Sequence, residues 1–290
     1  MSKNVVVLGA SGMLGHKMLQ VLSNKFDVTG TIRNSNTSQI LKAYTLYNGV
    51  NAMNFSTVSS ALDIIDPDII VNCIGIIKQL PESNDWDKSF SINSEFPKKL
   101  CIYAKSCGRQ VIHFSSDCVF DGKQGMYYET TIPNATDIYG RTKFAGEISD
   151  INCLTLRTSI IGREIDTCHG LLEWFLSKQG MKVQGYKKSI FSGVTTNELS
   201  KLVGNIIDNG CKLRGLYHVA ASPITKFDLI TNINIYLKNK VEIEQVNGED
   251  LNRSLNGVKL KRDFGYTPPS WKEMLKEMLL QDSTDYGRSL

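Results

Sequence analysis

A chain of 290 residues, 41% hydrophobic and 21% charged, is long enough to bury a full-sized core, as one large domain or as a main domain with a smaller companion. Its net charge is only +4 and its basic residues are scattered (Lys98-Lys99, Lys187-Lys188, Lys259 to Arg262), which excludes a nucleic-acid stripe; the apolar run Val5 to Leu8 is too short for a membrane span or signal core, so a cytoplasmic location is expected. Seven cysteines (73, 101, 107, 118, 153, 168 and 211) are an odd set without Cys-x-x-Cys spacing, which argues against a disulfide framework and a metal site and for small buried hydrophobes.

Asn4 to Leu8 (NVVVL) is β-branched and reads as a strand. It feeds Gly9-Ala10-Ser11-Gly12-Met13-Leu14-Gly15, after which Met13, Leu14, Met18, Leu19 and Leu22 recur at helical spacing. Strand, glycine turn and helix in that order predict a dinucleotide site. Gly9 permits the tight turn, Gly12 lets backbone approach a pyrophosphate and Gly15 lets the helix lie close to the sheet. Phe26 to Ile32 is a second strand, and its end should meet the adenosine ribose. Arg33-Asn34 stands there in place of a carboxylate, which favours NADP (NADPH), with NAD as the alternative.

Val50 to Asn54 reads as a third strand with Asn54 at the cofactor edge, followed by an amphipathic segment from Ser56 to Ile65. Asp68 to Ile74 is apolar enough for a parallel strand buried on both faces, so Cys73, Ile74, Gly75 and Ile76 should border the cofactor. A helical stretch from Asp85 to Cys107 carries Asn93 and is interrupted by Pro97. Gln110 to Phe114 is a fifth strand, delivering Ser116 and Cys118 to the same edge, where Ser116 is placed to bond a substrate carbonyl.

Asp137 caps a helix through Glu147 that sets Tyr139 and Lys143 four apart on one face. A phenol titrates near 10, and a neighbouring ammonium should pull it down toward the range useful for proton transfer. Asn152 to Arg157 is a sixth strand. The alternation predicts an α/β fold, a doubly wound parallel sheet, with residues 1–160 as the dinucleotide-binding domain. Residues 161–290 are expected to be mainly a smaller substrate-binding lobe, with about 188–212 returning to the first domain. Its predicted elements are a helix from His169 to Gln179, a strand-like piece from Lys187 to Phe191, a helix from Thr195 to Asp208 and a strand from Gly215 to Ala220. Thr225 to Asp228 and Ser270 to Glu273 have capping-box spacing and should open the last two long helices, and Asp282 to Leu290 should fray.

With GASGMLG, VNCIG, Asn93 in FSINSEFP, HFSSDCVFDG, YGRTKFAGE, LRTSIIG, GLYHVA and NRSLN followed by Trp271, the chain resembles the extended short-chain dehydrogenase/reductases, and among them the dTDP-4-dehydrorhamnose reductases. The resemblance runs nearly end to end. It implies NADPH-dependent reduction of the 4-keto group of a nucleotide-linked 4-keto-6-deoxyhexose in surface polysaccharide synthesis, and a homodimer. Tyr139 would donate the proton, Lys143 would tune it and hold the nicotinamide ribose, Ser116 would hold the sugar carbonyl and Asn93 would place a relay water. The chain departs from those reductases at Gly193-Val194-Thr195-Thr196, where they usually carry a Pro, and in a shortened stretch before NRSLN. Cys118 and His169 locally resemble the proton-moving pair of GDP-L-fucose synthases, which implies a bifunctional 3,5-epimerase/4-reductase as an alternative. The same fold also serves as a non-catalytic regulatory subunit, such as the β subunit of methionine adenosyltransferase, a third expectation.

Overall fold

The apolar run at the start of the chain forms β1 (Asn4–Leu8) at the centre of a seven-stranded sheet in the computed structural model, which describes residues 3–35, 38–210, 214–238 and 240–285. Val5 and Val7 enter the core on one face of the sheet and Val6 and Leu8 the core on the other, which is why the strand is continuously apolar. Each crossover returns the chain to a parallel neighbour. α1 (Met13–Leu22) leads to β2 (Asp27–Thr31) and β3 (Thr45–Tyr47); α2 (Phe55–Ile65) leads to β4 (Ile69–Asn72). α3 (Trp86–Phe90) and α4 (Phe96–Ser106) precede β5 (Gln110–Ser116), and α5 (Ile138–Ala145) precedes β6 (Cys153–Thr158).

After the two-residue β7 (Ile160–Ile161) come α6 (Leu171–Leu176), β8 (Lys182–Tyr186), β9 (Ser189–Phe191), β10 (Val194–Thr195) and α7 (Thr196–Asp208). β11 (Gly215–His218), β12 (Ile224–Thr225), α8 (Lys226–Tyr236), β13 (Glu242–Val246), β14 (Leu251–Asn252), α9 (Val258–Phe264) and α10 (Trp271–Asp285) complete the order. The main sheet runs β11-β6-β5-β4-β1-β2-β3, every pair parallel. The doubly wound architecture is therefore as expected, with the order reversing between β1 and β4, where such folds open a ligand crevice at the strands' carboxyl ends. α7 lies against α1, and β11 pairs with β6, so chain well beyond residue 160 covers and extends this sheet. The remaining short strands form β12-β9-β14 and β13-β8, with β10 on β7.

Three expectations are corrected. The third strand is Thr45–Tyr47, not Val50 to Asn54. Only Val50 still reaches the sheet, its N–H bonding the Ile32 carbonyl, and then Asn51 turns the chain, accepting from the N–H groups of Met53 and Asn54. The helix from Asp85 to Cys107 is split by a π-helical turn at Ser91–Glu95, the wide turn just before Pro97, whose ring cannot follow a regular helix and which has no N–H to give. Cys101 of α4 and Cys153 of β6 are joined by a disulfide, their Cα atoms 6.5 Å apart beneath the sheet, within bridging range although 52 residues apart in sequence. Cys107 and Cys168 are exposed, and Cys73 and Cys118 half-buried, so burial is not the rule for these thiols. Cys211, the end of the segment 188–212 and the tail from 286 lie outside the described residues. Among the described residues no helix is long and apolar enough to cross a membrane.

Candidate functional site

The carboxyl edge of the sheet gathers almost every residue singled out in the sequence. Gly9 has φ +80°, and a Cβ on Gly15 would sit 2.0 Å from the Gly9 carbonyl oxygen, so the first turn of α1 rests directly on the turn that leaves β1. Ser11 and Gly12 are exposed above it, Met13 is half-buried, and Leu14 points into the core. The bare, outward backbone at a helix start is the space a pyrophosphate requires, so these residues fit a dinucleotide. Arg33 is exposed just beyond β2, and Asn54 is exposed at the start of α2, accepting from the Ser56 hydroxyl at 2.8 Å. Glu164 closes the far side of the glycine turn. Its carboxylate accepts the N–H groups of His169 (2.8 Å) and Gly170 (3.0 Å), and a Cβ on Gly170 would meet Met13 Cε at 2.4 Å.

The strand after the switch point ends in Cys73-Ile74-Gly75-Ile76, and two asparagines fix it. Asn72 Oδ1 accepts from Ile74 N at 3.1 Å, while its Nδ2 meets His113 Nδ1 at 3.1 Å. Asn93, only 1% exposed on the π-helical turn, accepts from Ile76 N at 2.9 Å and donates to the Ile76 carbonyl at 3.3 Å and to Thr142 Oγ1 at 3.4 Å. Its side-chain amide is thus committed to holding a loop and a helix. Gly75 sits between Asn93 and Lys143, its Cβ position 3.8 Å from Lys143 Nζ.

α5 brings Tyr139 and Lys143 to this edge. Asp137 Oδ1 accepts from Gly140 N at 2.8 Å, the cap expected from the sequence, and its other oxygen meets Lys78 Nζ at 3.1 Å. A Cβ on Gly140 would lie 2.2 Å from the Cys118 carbonyl oxygen, so only glycine lets the helix start this close to the turn after β5. Lys143 Nζ donates to the Phe114 carbonyl at 2.6 Å, and burial lowers its pKa to about 8, with Glu147 acting the other way. His113, beneath it, is held well below the usual imidazole range by burial and then by the Lys143 charge.

Ser116 accepts from Cys118 N at 3.1 Å and donates to Asp117 Oδ1 at 3.2 Å. Its hydroxyl lies near enough to the Tyr139 phenol to act on its acidity. Here the expectation of a lowered phenol is corrected. Burial, then the neighbouring Cys118 and Asp117, raise Tyr139, and the Ser116 hydroxyl only partly opposes this, while the Lys143 amine is turned to the Phe114 carbonyl. Burial and Asp117 push the Cys118 thiol up to about 12, so it is held as a neutral thiol. No hydrogen bond, ion pair or ring contact among the described residues joins the exposed His169 to Cys118.

Several residues of this edge escaped the sequence reading. Asp117 is 6% exposed, raised by burial with Arg253 opposing, and lies inside the quoted HFSSDCVFDG segment, so its acidity beside Ser116 was a usable signal. Below the edge Arg157 (2% exposed) forms a two-pronged pair with Glu147, both contacts at 2.6 Å, while Ser115 donates to the same carboxylate at 2.6 Å and His218 Nε2 lies 3.2 Å from Arg157 Nη1. Nothing in a linear pattern distinguishes that pair from solvated charges. Among the described residues no group of three or more His, Cys, Asp or Glu side chains could hold a metal ion.

The chain is similar over its whole length to solved structures of this architecture. It aligns to a dTDP-4-dehydrorhamnose reductase of Bacillus anthracis in complex with NADP with a TM-score of 0.80, covering 97% of this chain and all of that one at 21% identity. The Bordetella bronchiseptica enzyme WbmG, in complex with NAD and UDP, aligns with a TM-score of 0.79 at 14% identity, covering 100% of this chain and 97% of that one. In sequence it is 23% identical over 264 residues to a dTDP-4-dehydrorhamnose reductase of Sinorhizobium fredii, covering 77% of this chain and 83% of that protein. It is 26% identical over 170 residues to methionine adenosyltransferase 2 subunit beta of Bos taurus, a match to 57% of this chain that spans about half, 49%, of that relative. The family model for the RmlD substrate binding domain matches residues 3–284, and the chain belongs to that family.

Proposed function

We propose that the protein is an NADPH-dependent reductase of the 4-keto group of a nucleotide-activated 4-keto-6-deoxyhexose, in surface polysaccharide synthesis. One observation supports the reading: the glycine turn, Ser116, Tyr139 and Lys143 all lie at the carboxyl edge of the sheet, beside its switch point. Gly9, Ser11, Gly12, Met13, Leu14 and Gly15 would hold the pyrophosphate, Arg33 and Asn54 would face the adenosine side, and Cys73, Ile74 and Gly75 would line the nicotinamide side. The cofactor supplies the hydride.

Ser116 and Tyr139 would hold the sugar carbonyl oxygen. A raised phenol keeps its proton at neutral pH, which is the form a donor needs, and an alkoxide is a stronger base than a phenolate, so transfer from Tyr139 Oη to the developing alkoxide runs downhill. Lys143 would turn from the Phe114 carbonyl toward the nicotinamide ribose, which also stabilises the phenolate left behind. Asn93 acts by fixing Ile76 and the helix carrying Lys143. The substrate-binding lobe would be built mainly from residues 161–290, less the segment that returns to the sheet, and the active unit would be a homodimer.

A panel of nucleotide 4-keto-6-deoxy sugars, assayed with NADPH and with NADH and resolved by NMR, tests this reading; no oxidation of either cofactor against any of them would refute it. The same assay in deuterated water addresses the bifunctional alternative, since epimerisation through Cys118 and His169 would carry deuterium into C3 or C5. The match to methionine adenosyltransferase 2 subunit beta favours the alternative of a non-catalytic subunit, whose signature would be a stoichiometric enzyme partner and no turnover.

A further inference from the structure

α5 is gripped twice by the strand it covers. Lys143 Nζ donates to the Phe114 carbonyl at 2.6 Å, and one turn on, Glu147 accepts from the hydroxyl of Ser115, the next residue of β5, at 2.6 Å. Ser116 follows directly. The same carboxylate takes Nε and Nη2 of Arg157 at 2.6 Å each, and Arg157 stands opposite Ser115 in the register of β5 with β6. Glu147, its side chain 8% exposed, thus ties the end of the helix to both strands at once.

The partners of Glu147 are themselves held. Arg157 Nη1 lies 3.2 Å from His218 Nε2, and because a guanidinium only donates, Nε2 is the acceptor and Nδ1 carries the proton given to the Tyr127 carbonyl at 3.0 Å. The imidazole is neutral in that arrangement, and burial, then the Arg157 charge, hold it down at about 3. The guanidinium also lies over the Phe120 ring, 5.3 Å from its centre. On the helix side, Gly146 rests so closely on the Asn93 carbonyl oxygen that no Cβ fits between them.

We infer that Glu147 is a positioning residue for the reductive step: by locking the end of α5 to β5 and β6 it holds Tyr139 and Lys143 beside Ser116, and its charge keeps the Lys143 amine an ammonium. This rests on the reductase reading above and adds to it a residue that acts through Lys143 and Ser115. The groups around Lys143 leave that electrostatic part to Glu147. His113, on β5, is held neutral; Cys118, in the turn after β5, is held as a thiol, and Asp117 beside it is raised by burial. The π-helical turn meets α5 through the uncharged Asn93, and α3 through Trp86, over whose ring Arg141 lies. Glu147 is the group that opposes the effect of burial on Lys143.

The test uses the full chain with the keto sugar that wild type turns over, for Glu147→Gln, Ser115→Ala and the double change Glu147→Leu with Arg157→Met, which leaves neither charge of the pair buried alone. Single-turnover oxidation of bound NADPH should fall roughly 10- to 100-fold in Glu147→Gln and in the double variant, and roughly threefold in Ser115→Ala, with KM for the sugar within about threefold, because the reacting groups are misplaced and the binding groups are not. A second reading needs neither cofactor nor sugar. The ionisation of Lys143 in the free chain, followed by NMR of isotope-labelled lysine and assigned with Lys143→Met, should move to lower pH in Glu147→Gln and in the double variant and stay in place in Ser115→Ala. A double variant that folds, as its urea midpoint shows, and keeps the wild-type rate overturns the assignment, and so does a Lys143 ionisation unmoved by loss of the carboxylate. Should neither Glu147 variant fold, a wild-type rate in Ser115→Ala overturns it in the same way. Wild type that turns over no nucleotide 4-keto sugar would overturn the underlying reductase reading instead.

Discussion

Lys143 lies buried on α5 with one hydrogen bond, and its environment sets a measurable electrostatic cost. Burial lowers its pKa from 10.5 to about 8, so at neutral pH the fold carries an ammonium it disfavours. At about 1.4 kcal/mol per tenfold, that fall corresponds to ~3 kcal/mol of stability withheld below pH 8. The sign follows from proton counting. Between pH 8 and 10.5 the unfolded chain keeps the proton and the folded chain releases it, so stability rises with pH through this window. Lys143→Met removes the titration and leaves a side chain of similar shape, at the loss of the bond to the Phe114 carbonyl, worth about 1 kcal/mol at every pH. The variant should therefore exceed wild type by roughly 2 kcal/mol at pH 7, and that advantage should vanish by about pH 9.5. Urea midpoints at pH 7, 8.5 and 9.5 measure it. A difference between the two proteins that is constant with pH would refute the buried-ammonium reasoning.

The other predictions concern the frame of the carboxyl edge. Gly15→Ala sets a methyl 2.0 Å from the Gly9 carbonyl oxygen, backbone against which nothing can yield, so we expect a loss of about 3 kcal/mol in thermal unfolding together with loss of NADPH binding. Glu147→Gln leaves Arg157 buried without its counter-charge and should cost about 3–5 kcal/mol, whereas the double change Glu147→Leu with Arg157→Met should recover most of that in the same denaturation assay.

Residues within one local segment were the ones that could be read in advance. The GASGMLG turn, the Asp137 cap on Gly140 N and the boxes at Thr225 and Ser270 each close hydrogen bonds over three or four residues, so spacing alone reveals them. Where a choice depended on distant partners the pattern failed. Val50 to Asn54 opens on one β-branched residue, as Thr45–Tyr47 does, yet only the latter pairs with Thr29 to Thr31 of β2, and Asn51 turns the chain. The Cys101–Cys153 bridge spans helix and strand, and the buried Arg157–Glu147 pair joins β6 to the chain after α5. Tyr139 and Lys143 do share α5, but the acidity expected of the phenol does not follow: a spacing of four brings two side chains to one face without saying that Lys143 would prefer the Phe114 carbonyl.

Proton donation by Tyr139 is tested most directly by single-turnover oxidation of bound NADPH against the 4-keto sugar that wild type turns over, compared with Tyr139→Phe. We expect the hydroxyl-less variant to bind NADPH as wild type does and to lose roughly 10²- to 10⁴-fold in the reductive step, the contribution of a positioned acid. Unchanged turnover in Tyr139→Phe, with cofactor bound, would contradict the assignment.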